Sequence, residues 1–389
     1  MNCKSTILAA VLAAVALPAV AAENVVPPKG EIRVGTIQDL SGPIAALGKA
    51  SRNGMLLWAD EVNEQGGIHG RKVKIVVDDS GYDPKKAVLA AQKQARSDKV
   101  FVSVGNIGTP VALAAMPIFF DANIPHLFPI TAARQMYEPL HKLKYSFAAT
   151  YIDQMRSVIR HFTKIKADRK WCILYQDDDF GLEVLKGTEE GLKEIGGKTL
   201  VERATYKRGA TDFSSQVQKL QASGCDTAVL GTIIRETVGA HVEARKIGWN
   251  PQFVGPSSTY SHLIPALGGP AVEGMVSAHG VGHPYLDDAS QKVQFWAKKY
   301  KTRFNEDPDV YSVYGYMIAS MTGAALAKAG PTLSTDTFIK ALDSLTYPDP
   351  MFGGDTSTFS PKKHLGSNKS RMAQIKNGRW VEISDYVEP

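Results

Sequence analysis

The chain has 389 residues, of which 44% are hydrophobic and 22% are charged. This composition is that of a globular protein and excludes a disordered or collagen-like chain, and the length exceeds what one hydrophobic core usually covers, so two domains are expected. The formal net charge of +6 is small for this length and is not concentrated in a basic run, so the sequence predicts no nucleic-acid partner.

The first 22 residues have the layout of a cleaved secretory signal peptide. Lys4 precedes an apolar run over 7–22, which ends with Val20 and Ala22 at the −3 and −1 positions before Glu23. A membrane anchor is the alternative, but the run is short for a bilayer span of about 20 residues and contains Pro18. We therefore predict a signal peptide over 1–22 and a periplasmic location.

Strands and helices then alternate along the first half. A strand is predicted over 32–40, a helix over 48–65, a strand over 72–78, a helix over 84–97, a strand over 100–104, a helix over 109–121 and a strand over 124–128. Met55, Leu56, Ala59 and Val62 form one apolar stripe on the first helix. This alternation predicts a parallel sheet with helices on both faces.

The same order of elements starts again near residue 170. Strands are predicted over 171–176, 199–206, 226–231 and 252–254, with helices over 181–195, 213–223 and 237–247 between them. The remaining chain has predicted helices over 290–304, 311–329 and 335–345, and a hairpin of 371–376 with 379–383 that turns at Asn377-Gly378. The predicted fold class is therefore α/β, with two doubly wound lobes.

Two cysteines follow the predicted signal peptide. Cys172 and Cys225 lie at the starts of the first and third predicted strands of the second half, and such strands are neighbours in a doubly wound sheet. An oxidising compartment permits a disulfide between them. Two buried thiols are the alternative, and the sequence does not choose between the two.

No pattern assembles an active site or a metal centre. The chain lacks HExxH, GxSxG and a cysteine cluster with zinc spacing, and its nine histidines are scattered. The run Asp177-Asp178-Asp179 fits no familiar cation loop and is interpreted as solvated. We therefore predict that the protein is not an enzyme and that it holds no metal and no cofactor.

Five segments resemble the type I periplasmic substrate-binding proteins of the leucine/isoleucine/valine-binding family. They are 32–48 (IRVGTIQDLSGPIAALG), 63–71 (NEQGGIHGR), 78–84 (DDSGYDP), 175–181 (YQDDDFG) and 212–217 (DFSSQV). The resemblance implies two lobes joined by a three-crossover hinge, the first over 30–147 plus 279–350 and the second over 148–278 plus 351–389. It also implies a ligand in the cleft, closure by hinge motion and delivery to the membrane permease of an ABC transporter. A monomer is the expected state.

Ligands of open parallel sheets bind beyond the carboxyl ends of the strands, where the first lobe offers Thr109, Ile130 and Thr131. Thr109 opens a predicted helix, and the free N–H groups and dipole of a helix start favour a carboxylate. The resemblance implies that these three residues hold the α-carboxylate and amino group of a ligand. Thr109 is equally explained as a plain helix cap.

Further candidates lie just past strands or crossovers of the facing lobe, or on a late helix. They are Tyr151, Phe180, Ile233, Arg235, Ser257 and Tyr314. A cleft lined by aromatic rings and a few polar groups suits a small amphipathic ligand. Core packing explains the aromatic residues equally well, and Arg235 is equally explained as a surface side chain.

One position departs from the family pattern. Amino-acid binders of this family usually carry an acidic residue where Ser257 stands, and a buried ammonium without an anionic partner costs on the order of several kcal/mol. Either another acid, such as Glu236, replaces it, or the ligand has no ammonium and its carboxylate pairs with Arg235. We expect an aromatic acid of the benzoate or hydroxycinnamate type. A branched-chain amino acid is the alternative, and a ligand sensor for a receptor kinase would have the same fold.

Overall fold

The computed structural model describes residues 24–389, so the predicted signal peptide lies outside the described residues. The first of two sheets has five strands: β1 Glu31–Gln38, β2 Lys72–Asp79, β3 Val102–Val104, β4 His126–Leu127 and β5 Lys144–Tyr145. All neighbours are parallel, in the order β2-β1-β3-β4-β5. The predicted strand over 124–128 is thus reduced to two residues.

The second sheet repeats this order. Its parallel strands are β6 Trp171–Gln176, β7 Glu202–Tyr206, β8 Thr227–Gly231, β9 Gln252–Gly255 and β10 Val276–His279. After a separate antiparallel pair, β11 Thr346–Tyr347 with β12 Ser357–Thr358, the predicted hairpin forms as β13 Arg371–Lys376 and β14 Arg379–Glu382. The order β14-β13-β10-β9-β8-β6-β7 contains β7-β6-β8-β9-β10, the doubly wound arrangement of the first sheet.

Within residues 24–389, eleven α-helices surround the two sheets. They are α1 Ala45–Glu64, α2 Pro84–Lys93, α3 Thr109–Asp121, α4 Tyr151–Ile165, α5 Asp179–Glu194, α6 Ser214–Ala222, α7 Ile234–Lys246, α8 Leu263–Gly268, α9 Gln291–Phe304, α10 Val310–Ala329 and α11 Thr335–Leu342. In the described part of the chain, no helix combines the length and apolarity that crossing a bilayer requires.

Helix α10 packs along α1. The helices that follow β10 in the chain therefore lie beside the first sheet. The backbones of α1 and α10 approach closely at two glycines: a Cβ on Gly54 would lie 2.0 Å from the carbonyl oxygen of Ser312, and one on Gly315 would lie 2.0 Å from that of Ser51. The chain thus passes between the sheets after β5, after β10 and before β13. The residue boundaries of the lobes stay a prediction, and Phe359 and His364, placed in the second lobe by that prediction, pack against Tyr145 of β5.

Helices α4 and α2 differ from the sequence prediction, which also did not include β5, β10, β11, β12 and α8. Helix α4 was not predicted, although Thr150 caps it by accepting a hydrogen bond from the Asp153 N–H at 3.1 Å. Helix α2 ends at Lys93, and a π-helical turn, Gln94–Asp98, replaces the rest of the predicted helix. This π-helical turn directs the Gln94 side chain into the core. There, Gln94 Nε2 donates to the Thr36 carbonyl oxygen at 3.0 Å.

Cys172 and Cys225 form a disulfide, with their Cα atoms 5.8 Å apart. The two residues meet because β6 and β8 are neighbours in the second sheet. The sequence left open whether the two cysteines form a disulfide or remain buried thiols, and the structure contains the disulfide.

Candidate functional site

Three adjoining cavities are lined by residues from elements of both sheets. The central cavity has a volume of about 480 Å³, the cavity at the start of α3 (the helix-start cavity) about 310 Å³, and the cavity beside the crossovers (the hinge cavity) about 380 Å³. Ile130 and Tyr151 line both of the first two, and Phe147 and Tyr314 line both the central and the hinge cavity.

Eight of the nine predicted site residues line the central or the helix-start cavity. They are Thr109, Ile130, Thr131, Tyr151, Phe180, Ile233, Ser257 and Tyr314. The ninth, Arg235, is exposed on the first turn of α7 and lines none of the three cavities. The structure brings the eight together, and their contact with a ligand stays a prediction.

Two threonines meet between two of the cavities: Thr109 lines the helix-start cavity and Thr131 lines the central cavity. The Oγ1 atoms of Thr109 and Thr131 are 2.6 Å apart, and Thr131 Oγ1 also accepts from the Ala133 N–H at 3.3 Å. Gly108, just before α3, has φ +93°, and a Cβ there would lie 2.4 Å from the Tyr82 ring. Only glycine therefore allows this turn, which leaves the unpaired N–H groups of the first turn of α3 beside the two hydroxyls.

Ile130 fixes one loop of the site to another. Its N–H donates to the Asn106 carbonyl oxygen at 3.0 Å, and its own carbonyl oxygen accepts from the Gly108 N–H at 3.1 Å. Asn106 Oδ1 in turn accepts from the Ile37 N–H at 2.8 Å. The end of β1 and the loops after β3 and β4 are thereby held in one arrangement, in which the Ile130 backbone groups are already hydrogen-bonded.

Aromatic side chains form the walls. Tyr151 meets Phe180 edge to face with ring centroids 5.1 Å apart, and Tyr314 meets Phe147 and Tyr311 in the same manner at 5.7 Å. Burial raises the pKa of Tyr151 to about 12 and raises the pKa of Tyr314 and Tyr311 above the usual range. The three hydroxyls are therefore protonated near neutral pH and can donate to a ligand.

The charged groups of the site are few. Among the described residues that line the central and helix-start cavities there is no Asp or Glu. Glu236 is buried in the first turn of α7, where burial raises its pKa, and it lines none of the three cavities. The backbone of Ser257 is held by Gln154, whose Oε1 accepts the Ser257 N–H at 2.8 Å. Lys369 lines the central and hinge cavities and forms no ion pair with any residue from 24 to 389.

Sequence reasoning missed several lining residues: Tyr82, Phe147, Gln154, His279, Tyr311, Lys369 and Ser370. Tyr82 stands inside the family-like segment DDSGYDP, which was a usable signal. The others lie at a strand end, on crossovers or on helices, and the chain order gave no reason to place them together.

His279 is the most informative of these residues. Its Nδ1 donates to the Val281 carbonyl oxygen at 3.0 Å, and burial lowers its pKa to about 4, so the ring is neutral near pH 7. Nε2 then carries a lone pair, and it has no hydrogen-bond partner within the described chain. The Oγ atom of Ser370, which also lines the central cavity, is likewise without a partner there.

The two lobes touch beside the helix-start cavity. The Arg208 guanidinium donates to the Tyr82 carbonyl oxygen at 2.9 Å and lies 3.3 Å from Asp178 Oδ2. Gln176 Nε2 donates to the Tyr82 hydroxyl at 3.4 Å. Tyr82 follows β2 of the first sheet, whereas Gln176 ends β6 and Arg208 follows β7 of the second, so the cleft between the lobes is closed at this point.

Several known proteins are similar to this chain over most of its length. A binding protein for leucine, isoleucine, valine, threonine and alanine from Pseudomonas aeruginosa is 24% identical over 77% of the chain and 79% of its own length. A Leu/Ile/Val-binding protein homologue of Brucella suis is 27% identical over 77% of the chain and 79% of its own length.

Solved structures of low sequence identity share the fold. A fatty acid ABC transporter substrate-binding protein from Thermomonospora curvata superposes with a TM-score of 0.83 at 24% identity, covering 93% of both chains. A branched-chain amino acid ABC transporter protein from Thermus thermophilus with bound valine has a TM-score of 0.83 at 17% identity, covering 92% of this chain and 96% of its own.

The sequence model of a family described as "Periplasmic binding protein" matches residues 31–379. The match spans the whole first sheet, strands β6 to β13 of the second, and all lining residues of the central and helix-start cavities. The chain therefore belongs to the periplasmic binding protein family, as a type I solute-binding protein of the leucine/isoleucine/valine-binding kind that serves ABC transporters.

Proposed function

We propose that the protein binds a small amphipathic carboxylate without an ammonium group, an aromatic acid of the benzoate or hydroxycinnamate type, and delivers it to an ABC importer. The observation that carries the proposal is the composition of the site. No described residue that lines the central or helix-start cavity is acidic. An α-ammonium there would be buried without an anionic partner, which is costly.

The polar groups suit a carboxylate at one end. Thr109, Thr131 and Tyr151 supply hydroxyl donors beside the first turn of α3, whose N–H groups and dipole favour an anion. Lys369 supplies the positive charge that the sequence assigned to Arg235; it lines the central and hinge cavities, not the helix-start cavity, and has no ion-pair partner among residues 24–389.

The other end of the central cavity suits a hydroxyl-bearing aromatic ring. Tyr311, Tyr314 and Phe147 provide ring surfaces for it. His279 Nε2 accepts a hydrogen bond, and Ser370 Oγ can accept or donate one. This pair favours a hydroxylated aromatic acid over a purely aliphatic one.

A branched-chain amino acid is the second candidate. The names of the similar proteins from Pseudomonas aeruginosa and Thermus thermophilus support it, whereas the name of the fatty acid transporter protein supports a carboxylate without an ammonium. For an amino acid, the ammonium would have to reach Asp349 or Asp355 of the adjoining hinge cavity, or Glu236 would have to move into the central cavity. The composition of the site therefore favours the first candidate.

The ligand would act by joining the lobes. Because residues of both lobes line the cavities, a ligand stabilises the closed form relative to an open one, and the closed monomer is the form presented to the permease. A ligand sensor for a receptor kinase would close in the same way, and co-purification with a permease rather than a kinase separates these functions.

A thermal-shift screen of protein refolded to remove carried-over ligand tests the ligand class. The panel contains benzoates, hydroxycinnamates, short fatty acids, dicarboxylates, leucine, isoleucine and valine. A ligand at about 100 times its dissociation constant stabilises the protein by about 2.7 kcal/mol, which is an easily measured shift. We expect shifts with aromatic acids and none with leucine, and the opposite pattern would overturn the proposal.

Ser257→Asp tests the same argument by restoring a carboxylate at the central cavity. Like-charge repulsion should weaken aromatic-acid binding by at least about 10-fold, the equivalent of about 1.4 kcal/mol, while any affinity for leucine rises. Ser215→Asp, on the exposed side of α6, is the matched control and should change neither affinity. Equal aromatic-acid affinity in both variants would contradict the proposed site.

A further inference from the structure

Three metal-ligating side chains, far apart in the sequence, meet outside the three cavities. His262 lies just before α8, His283 follows β10, and Asp309 caps α10. One donor atom of each lies within 4.8 Å of those of the other two. The sequence predicted no metal site because the spacing of these residues matches no metal-binding motif.

The donor set has a definite chemical preference. Two imidazoles and one carboxylate are ligands for Zn²⁺ and neighbouring divalent transition metals, whereas Ca²⁺ and Mg²⁺ prefer oxygen atoms alone. Three protein ligands leave one position of a tetrahedral ion for water.

The burial of the three residues suits a bound ion. His283 is 8% exposed, and its Nδ1 has no hydrogen-bond partner in the part of the chain that is described. Asp309 is 3% exposed, and its Oδ2 lies 2.7 Å from His262 Nδ1. The His262 side chain is one-third exposed, which gives an ion access from solvent.

Outer partners hold the donors in place. Asp309 Oδ2 accepts from Ser261 Oγ at 2.9 Å, and Oδ1 accepts from the Tyr311 N–H at 3.0 Å. The backbone N–H of His283 donates to the Tyr260 hydroxyl at 3.1 Å, which fixes the loop that carries the imidazole. Such partners orient metal ligands and raise their affinity.

We propose that His262, His283 and Asp309 form a binding site for a divalent transition-metal ion of the Zn²⁺ type. The site joins a loop that follows β9 of the second sheet to the start of α10, which packs on the first lobe through α1. A plain hydrogen bond between His262 and Asp309 is the simpler explanation of this pair. It leaves the buried Nδ1 of His283 unexplained.

Zn²⁺ titration of the chelator-stripped protein tests the site, with a chromophoric competitor as the readout and with no organic ligand present. We expect one Zn²⁺ per chain. His262→Gln and His283→Gln should each weaken binding by about 100-fold or more, beyond the 10- to 100-fold typical of losing an outer partner. His161→Gln, on α4 and outside the cluster, is the matched control and should leave binding unchanged.

Co²⁺ bound to the wild-type protein provides a readout that needs no variant. A four-coordinate site of this donor set should give visible d–d absorption that EDTA removes and excess Zn²⁺ displaces. Failure to bind one Zn²⁺ per chain, or binding retained by both His262→Gln and His283→Gln, would overturn the proposal, as would a Co²⁺ spectrum like that of the aqueous ion.

Discussion

The hydroxyl of Thr109 is the single group on which carboxylate binding should depend most. Thr109→Val keeps the shape of the side chain but removes a donor beside the start of α3 and leaves Thr131 without its partner. A hydrogen bond to a charged group contributes about 1.5–3 kcal/mol, so affinity for the carboxylate ligand should fall by about 10- to 150-fold in isothermal titration calorimetry.

Thr188→Val is the matched control for that prediction, because Thr188 is also buried on a helix and donates to the Val184 carbonyl oxygen within α5. It should bind ligand as the wild type does. If the two variants lose affinity equally, Thr109 acts through packing and not through its hydroxyl.

His126 should make the protein sensitive to acid. The residue is buried in β4, neither ring nitrogen has a hydrogen-bond partner within 24–389, and burial lowers its pKa from 6.5 to about 3. The unfolded chain therefore binds a proton at His126 below about pH 6.5, whereas the folded chain binds it only below about pH 3. The free energy of unfolding falls as the pH is lowered from about 6.5 to about 3.

This one residue should lower the free energy of unfolding by about 2 kcal/mol between pH 7 and pH 5. Urea unfolding at the two pH values measures the loss, and His126→Leu should show a smaller loss by about that amount. The other buried histidines are present in both proteins, so their contributions to the pH dependence of stability cancel in the comparison. Equal losses in the two proteins would show that His126 is protonated or solvated in the folded state.

The Cys172–Cys225 bridge should stabilise the second sheet. It joins β6 to the start of β8 across 53 residues of chain, and closing a loop of that length in the unfolded state is worth up to about 4 kcal/mol. The double variant Cys172→Ala/Cys225→Ala should therefore unfold at a lower urea concentration, and reduction of the wild type should lower its midpoint similarly. An unchanged midpoint in both would contradict the entropic argument.

Several elements could be predicted from local patterns, and others could not. Strand β6 and helix α3 are found where alternation and the Thr-Pro helix start placed them. Helix α2 is shorter than predicted because the buried Nε2 of Gln94 donates to groups of β1 and β2, which are distant in the sequence. The sequence also left open whether the cysteines meet, because only the pairing of β6 with β8 brings them within bonding distance.

The contact between Tyr82 and Arg208 should govern how long the closed cleft lasts. Arg208→Gln removes the guanidinium that donates to the Tyr82 carbonyl oxygen across the lobes and that also pairs with Asp178 of its own lobe. A hydrogen bond contributes about 0.5–1.5 kcal/mol, so ligand should dissociate about 5-fold faster in stopped-flow experiments, with little change in the association rate.

Arg203→Gln provides the comparison, because Arg203 pairs with Glu189 on the exposed surface of elements that belong to one sheet. Its dissociation rate should match that of the wild type. Faster dissociation in both variants would mean that net charge, and not the contact between the lobes, sets the rate.

The sequence by itself determined the alternation of strands and helices, the family and most of the polar and aromatic groups of the cleft, because these depend on side-chain periodicity and on strand ends that are read locally. Only the tertiary structure decided which of the candidates share a cavity. It excluded Arg235 and Glu236 and brought in Lys369, His279 and Ser370 from crossovers and strand ends. It likewise brought His262, His283 and Asp309 together. Contacts of this kind join residues from distant parts of the chain, and their distances are set by sheet order and helix packing rather than by spacing along the sequence.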